Sequence, residues 1–323
     1  MPGTRSIGTM VAALAATMVA GCGVGAGAVE EGTAELTVTR DYGAEAMVQA
    51  QLEDPADSES VVRFLDREAE IETSYGGNFV DSIDGVSSRV SGGRNEDWFF
   101  YVNGYWSPLG AGEVRVRPGD RIWWDYRDWT DSYRVPAVVG SFPEPFSNGF
   151  DGESFPTEVV CFDVEQACAE VSERLSEAGA DLLTDEAERG AASERKTLRV
   201  LVGTWERIRE DDAAAVLELG PEESGVYGVP TRCGDQPAFE VLDERAAPTA
   251  LLERAAWVAA VRPDQAQPTW VVSATEADLV SSAAELLDPE ALADHYALAV
   301  SEGEPRPLPA AGAEQIELPD DCR

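Results

Sequence analysis

The chain has 323 residues but only one histidine, His295, and one lysine, Lys196. A single imidazole excludes zinc sites built on several histidines and leaves one candidate for any Ser–His or Cys–His mechanism. A single lysine leaves one candidate for Schiff-base chemistry, and no Gly-rich phosphate-binding loop accompanies it. Positive charge is scarce throughout: 24 Lys and Arg face 61 Asp and Glu, for a formal net charge of −37. A surface that acidic repels phosphate backbones, which excludes nucleic acid as a partner. No Cys-x-x-Cys pair occurs, so redox and zinc motifs are absent. What is present is enough apolar material, 44% of residues, for real cores, and a length that suggests two domains.

Residues 1–22 read as an address. Arg5 precedes an apolar run from Ile7 to Val19, too short for a membrane span and right for a signal-peptide core. The run ends in Val19-Ala20-Gly21-Cys22, which resembles a bacterial lipobox. The resemblance implies lipid attachment at the Cys22 thiol and a protein held on the outer face of the cell membrane. Residues 23–34, small and acidic, read as a flexible tether. Four cysteines then remain in the exported chain: Cys161, Cys168, Cys233 and Cys322. An even count outside the cytoplasm predicts two disulfides among three possible pairings. The expected pairing joins Cys161 to Cys168 across a short local loop. Cys233 then joins Cys322 and pins the C-terminal tail.

Residues 35–135 carry strand and turn signals. Segments 35–43 and 44–53 read as strands joined by a tight Asp41-Tyr42-Gly43 turn. A helix over 61–68 buries Val61, Val62, Phe64 and Leu65. Segment 71–85 reads as two short strands broken at Gly76-Gly77, and 97–106 as a strand entering an Asn103-Gly104 turn. Segment 113–129 reads as a strand pair about a Pro118-Gly119-Asp120 turn. A helix among such strands gives an α+β domain with a curled mixed sheet.

The order SESVVRFLDRE, YGGNFVDSIDG, DWFFYVNG, RPGDRIWWDY resembles a bacterial domain family of unknown function over residues 36–127. These are relatives of the C-terminal domain of transcobalamin and intrinsic factor, in the soluble ligand-binding β-grasp group. The resemblance implies a β-grasp domain that forms one wall of a site for a large flat ligand, cobalamin in the animal proteins. The α/α-barrel partner domain of those proteins has no counterpart in the rest of this sequence.

Ten rings fall within 32 residues: Trp98, Phe99, Phe100, Tyr101, Tyr105, Trp106, Trp123, Trp124, Tyr126 and Trp129. Strand alternation puts Trp98, Phe100 and Val102 on one face and Phe99, Tyr101 and Asn103 on the other. It likewise sets Ile122, Trp124 and Tyr126 against Trp123 and Asp125. One face must be core. The other packs on a second domain or offers a stacking platform, with Tyr101, Tyr105, Trp106 and Trp123 as the expected ligand-binding rings.

Residues 136–156, rich in proline and phenylalanine, read as a connector, 157–310 as an α/β domain or α+β sandwich, and 311–323 as a tail. Strand TLRVLVGT leads into a helix to about Leu219, and strand PTWVVSAT into a helix to Leu287, a repeated βα layout. Gly203-Thr204 and Ala274-Thr275 read as helix N-caps; Glu206 and Glu276 in the first turns oppose anion binding. Asp125, Asp128 and Asp131, and Asp81 with Asp84, read as solvated acidic surface, because no calcium-loop spacing surrounds them. His295 reads as structural.

No catalytic, metal or cofactor constellation stands out. The expected function is non-enzymatic: a lipid-anchored, extracytoplasmic protein that binds a vitamin-like or other ring-containing small molecule, cobalamin-like ligands included, and presents it to a membrane importer. Two alternatives stand beside it. One is an envelope protein whose aromatic surface meets another protein or the wall glycan. The other is a hydrolase using a carboxylate pair.

Overall fold

The computed structural model describes residues 28–184, 197–263 and 266–322. The signal-like segment, Cys22 and Lys196 lie outside the described residues. Strands β1 (Thr33–Arg40) and β2 (Glu45–Glu53) form an antiparallel hairpin. Its turn runs through Asp41, Tyr42 and Gly43, all at positive φ. Helix α1 (Val61–Glu68) follows and buries Val61, Phe64 and Leu65. Strands β3 (Ile71–Ser74), β4 (Phe79–Ile83) and β5 (Val86–Ser87) make a small antiparallel sheet. Then come β6 (Arg89–Ser91), β7 (Arg94–Val102), β8 (Tyr105–Trp106) and β9 (Arg121–Asp128). The main sheet has the order β2-β1-β9-β7-β6, with β8 paired to β7. Its central pair, β1 and β9, is parallel. A hairpin, a helix and a last strand returning parallel to the first is the β-grasp-like arrangement of an α+β domain.

One expected strand pair does not form. Residues 113–117 make a single bridge, Ser60 to Arg115, in place of a strand against β9. Their backbone bonds go instead to the start of α1, from Val61 N–H to the Val114 carbonyl (3.0 Å) and from Val116 N–H to the Glu59 carbonyl (3.1 Å). The Pro118-Gly119 turn is closed by the Asp120 carboxylate, which accepts the Arg117 N–H at 2.8 Å.

The second half is built on β10 (Thr157–Phe162), α2 (Glu165–Glu177) and β11 (Leu198–Thr204). Three short helices follow, α3 (Trp205–Ile208), α4 (Asp212–Ala215) and α5 (Pro221–Ser224). They replace the single helix expected after β11. Asp211 starts a new helix by accepting the Ala213 N–H, and Gly220 at φ 80° with Pro221 forces another break. Strands β12 (Gly228–Cys233), β13 (Gln236–Leu242) and β14 (Pro248–Leu252) form a three-stranded antiparallel sheet. Next come β15 (Ala256–Val261), β16 (Thr269–Ala274), α6 (Val280–Glu285), α7 (Pro289–Leu292), β17 (Ala297–Ser301) and β18 (Glu304–Leu308).

The larger sheet has the order β10-β11-β16-β15-β17-β18. Its first three strands are parallel and the rest antiparallel. The two βα units lie side by side in register, with Gly203 opposite Ser273 and Thr204 opposite Ala274. Neither predicted cap forms. Thr204 makes no side-chain cap bond, and the Thr275 hydroxyl accepts the Ala255 N–H (3.0 Å) while α6 begins five residues later. Strand β18, Glu-Pro-Arg-Pro-Leu, carries no strand signal because Pro305 and Pro307 remove two donors. At a sheet edge those donors face outward, so the ladder to β17 survives.

Alternation then assigns the cores. In β15, Ala256, Val258 and Ala260 face α2, α6 and the connector phenylalanines Phe142, Phe146 and Phe155. Trp257, Ala259 and Val261 face the other way, into a core shared with Tyr42, Phe99, Tyr101 and Trp123 of the first domain. The connector is therefore packed along its length. Both expected disulfides are formed, Cys161–Cys168 with a separation of 7 residues and Cys233–Cys322 with 89. No helix among the described residues is long and apolar enough to cross a membrane.

Candidate functional site

The aromatic strands β7 and β9 show two faces of different chemistry. Trp98, Phe100, Ile122, Trp124 and Tyr126 enter the first domain's own core beneath α1. Phe99, Tyr101 and Trp123 enter the shared core, accompanied by two charged residues of β9, Asp125 and Arg127, at 0% and 1% exposure. A buried charge is tolerated when it is hydrogen-bonded: the Asp125 carboxylate is bonded at both oxygens and Arg127 through both terminal nitrogens, while the Arg127 Nε has no partner.

Asp125 sits at the centre of a network that crosses the junction. Its carboxylate accepts the Thr39 hydroxyl (2.6 Å), the Tyr42 and Gly43 N–H groups (both 3.1 Å), and the Tyr296 hydroxyl from the second domain (2.9 Å). Thr39 in turn accepts the Trp123 indole N–H at 2.8 Å. Burial pushes the Asp125 carboxyl up to about 6, against the pull of those hydrogen bonds and of Arg127. The Tyr42 hydroxyl donates to the Asp128 carbonyl (2.6 Å) and meets the Tyr227 hydroxyl at 2.9 Å. Gly43 is required here: a Cβ on it would lie 1.8 Å from the Asp294 carbonyl oxygen.

Arg127 does a different job. Its guanidinium donates to the carbonyls of Ser132 and Tyr133, both at 2.9 Å, and lies over the Phe99 ring at 3.9 Å. The Ser132 hydroxyl donates to the Pro221 carbonyl at 2.9 Å. The loop after β9 is thus held from beneath by a buried cation. On it stands Tyr133, 52% exposed. Its ring meets Trp106 (5.7 Å, 88°) and Trp129 (5.4 Å, 71°) edge-on, and both indoles are half-buried. The three rings form a shelf at the domain junction.

Three of the four rings expected to bind ligand are not on an open face. Tyr101, Tyr105 and Trp123 are 0%, 1% and 3% exposed. Tyr101 and Trp123 pack on Tyr296 of the second domain, and Tyr105 stacks on Phe150 with its hydroxyl donating to Gln267 (2.6 Å). The second domain covers them, because the sheet face carrying them is the face it docks on. Only Trp106 remains accessible. Tyr133 was missed because it follows the strand, where alternation gives no guidance. Asp125 was expected on a solvated face with Asp128 and Asp131. Its place on the Trp123 side of β9 is the signal that puts it inside.

A second concavity lies on the helix-covered side of the larger sheet. It is a groove of about 890 Å³ between β14, α6 and the β17–β18 hairpin. Leu279, Leu286, Leu298 and Val300 line it together with charged residues of both signs, among them Glu285, Glu302, Arg254 and Arg306, and with His295. His295 is half-buried, its ring has no hydrogen-bond partner among the described residues, and burial lowers its pKa, which favours a neutral imidazole. No group of three or more metal-ligating side chains is found among the described residues.

Comparisons with known proteins reach only part of the chain. Residues 58–128 match the family model described as "Domain of unknown function (DUF4430)". The match covers α1 to β9 and overlaps the region of the sequence resemblance except for its last residue. No curated protein matches. A solved structure from Ruminococcus gnavus ATCC 29149, described as a "putative metal binding protein", is similar at 18% identity. It covers 30% of this chain and 98% of its own, with a TM-score of 0.24.

Proposed function

We propose that this chain is a lipid-anchored extracytoplasmic binding protein that captures an uncharged ring-bearing solute, a sugar or a flat vitamin-like molecule, on the shelf of Trp106, Trp129 and Tyr133. The observation that carries this reading is an exposed tyrosine between two half-buried indoles, fixed by a fully buried arginine bonded to its own backbone. Holding an exposed ring in one place lowers the ordering cost of binding. Each ring contact with a ligand then adds about 0.5–1.5 kcal/mol beyond buried area. The resemblance to the transcobalamin C-terminal domain supports a ring-bearing ligand, and the net charge of −37 disfavours a phosphorylated one. Two disulfides fit an oxidising compartment. Anchorage at Cys22 would keep the shelf near a membrane importer, which is the expected partner. The binding role is non-catalytic.

The test is native mass spectrometry of the chain with chitotetraose and with cyanocobalamin. Retention of either probe, cut at least tenfold by Tyr133→Ala and by Trp106→Ala, supports the shelf. Retention unchanged by both substitutions, or no retention of either probe, counts against it. Separately, Cys22→Ala should release the protein from membranes; unchanged membrane fractionation would remove the anchor.

A further inference from the structure

The first domain carries an apolar tip that neither its core nor the shelf uses. Strands β1 and β9 begin, and β7 ends, at one end of the main sheet, as the pairs Glu35 with Arg121 and Val102 with Ile122 show. Residues 114–116, which lead into β9, bond the start of α1 at that end. The turn between β3 and β4 is tied to the same place: the Ala111 N–H donates to the Asn78 carbonyl (3.1 Å), and the Ala111 carbonyl accepts the Val62 N–H (3.1 Å). Tyr75 and Phe79 flank this turn, and Leu109 precedes Gly110, which packs on Asn78. With Val29 they make four of the eight most exposed large apolar side chains among the described residues. Single exposed apolar residues are ordinary; a group of them marks a contact surface.

The turn is strained, and the strain holds a ring in water. Tyr75, at φ 50°, is left-handed, a conformation that bulky residues rarely adopt, and Gly76 and Gly77 follow it at 72° and 92°. Tyr75 is 85% exposed, and a Cβ on either glycine would meet nothing within 4 Å. The turn stands clear of the rest of the described chain.

What covers the tip follows from where the chain is attached. Glu30 reaches Arg115 at 3.8 Å, so the described chain begins at the tip's end of the sheet. Val29 lies seven positions after Cys22, and even a fully extended chain spans only about 25 Å over that length. A lipid at Cys22 therefore keeps this end of the sheet within reach of the bilayer surface. Tyrosine suits the headgroup level, where its ring is buried and its hydroxyl stays wet. Glu30, Glu31 and Glu113 are exposed at the same end and oppose anionic headgroups, so the attraction is one of apolar burial.

We propose that Tyr75, Phe79 and Leu109 form a membrane-contact tip, seated in the interface of the bilayer to which Cys22 anchors the chain. The proposal rests on that anchorage and adds an orientation: the first domain stands on the lipid by the β3–β4 turn.

The experiment places an environment-sensitive fluorescent amino acid at Tyr75, at Leu109 or at Val90 of the full chain, with phosphatidylcholine vesicles that carry a nitroxide quencher near the headgroups. Val90 is 81% exposed but sits on β6, which pairs with the start of β7 at the opposite end of the sheet. Quenching at positions 75 and 109 should exceed that at position 90 by about threefold or more. Tyr75→Ser combined with Phe79→Ser should at least halve the quenching at position 109, with circular dichroism reporting the fold. Quenching at 75 and 109 no greater than at 90, or unchanged by the serine pair, overturns the tip, whether or not the chain floats with the vesicles. Flotation of the parent chain against Cys22→Ala tests the anchor separately. Strong quenching at 75 and 109 in a chain that floats equally without Cys22 keeps the tip and removes the anchor.

Discussion

The two faces of strand β9 are one residue apart in sequence and belong to different physical regimes. Ile122, Trp124 and Tyr126 are held by apolar packing inside the first domain. Trp123, Asp125 and Arg127 are equally buried, but their face is tied by hydrogen bonds to Thr39, Tyr42, Tyr296 and the loop after the strand. The first face is mostly a matter of shape and volume, with the Tyr126 hydroxyl and Trp98 indole N–H donating only to the Ser87 and Val86 carbonyls of the same domain. The second also fixes orientation, because a misplaced domain would cost the buried Asp125 carboxylate its bond from the Tyr296 hydroxyl. The difference shows how a small domain can dock on a larger one in a single arrangement and still present a defined aromatic edge.

The largest expected effect is on the apolar face. Trp124→Ala should cost about 3–5 kcal/mol, the range for deleting a buried indole, and chemical denaturation should show it. The next effect separates the faces by pH. The Asp125 carboxyl is pushed up to about 6 by burial, above its unfolded value. The protonated form is then favoured by folding, so this contribution is fully present below the unfolded pKa and is lost as pH rises through about 6. The shift corresponds to about 3 kcal/mol. Asp120, also pushed up to about 6 by burial, adds in the same direction. Thermal melts between pH 4 and pH 8 should show a steeper loss in the parent chain than in Asp125→Asn. Equal slopes would remove Asp125 as the cause.

Tyr296→Phe removes one hydrogen bond to that carboxylate and keeps the ring. Its expected cost is about 1.5–3 kcal/mol above pH 6 and less below it, read by denaturation at both pH values. The smallest stability effect should come from Tyr133→Ala, within about 0.5 kcal/mol because the ring is half in solvent, although ligand retention should fall most there.

Much of this was legible in the sequence. Helix α1, the first hairpin, the repeated strand-then-helix layout and the face assignments of β7 and β9 follow from period and turn residues. The two cysteine pairs follow from even count and spacing. Three things did not follow, for identifiable reasons. Short-range pattern cannot say which side of an aromatic sheet a second domain will cover, so Tyr101, Tyr105 and Trp123 read as available. An acidic residue at every third position suggests surface, but strand period decides, and it turns Asp125 inward while Asp131 stays outside. Tyr133 and the groove depend on loops and on a proline-bearing edge strand, where neither period nor propensity gives a signal.

The most direct test of the shelf uses the eight indoles as separate reporters. In a 15N-labelled chain titrated with chitotetraose or cyanocobalamin, the indole N–H signals of Trp106 and Trp129 should move with the ligand. Those of Trp98, Trp123, Trp124, Trp205, Trp257 and Trp270 should stay in place. Movement of the Trp123 signal with Trp106 unchanged, or no movement of any indole at saturating probe, would contradict a binding edge at the domain junction.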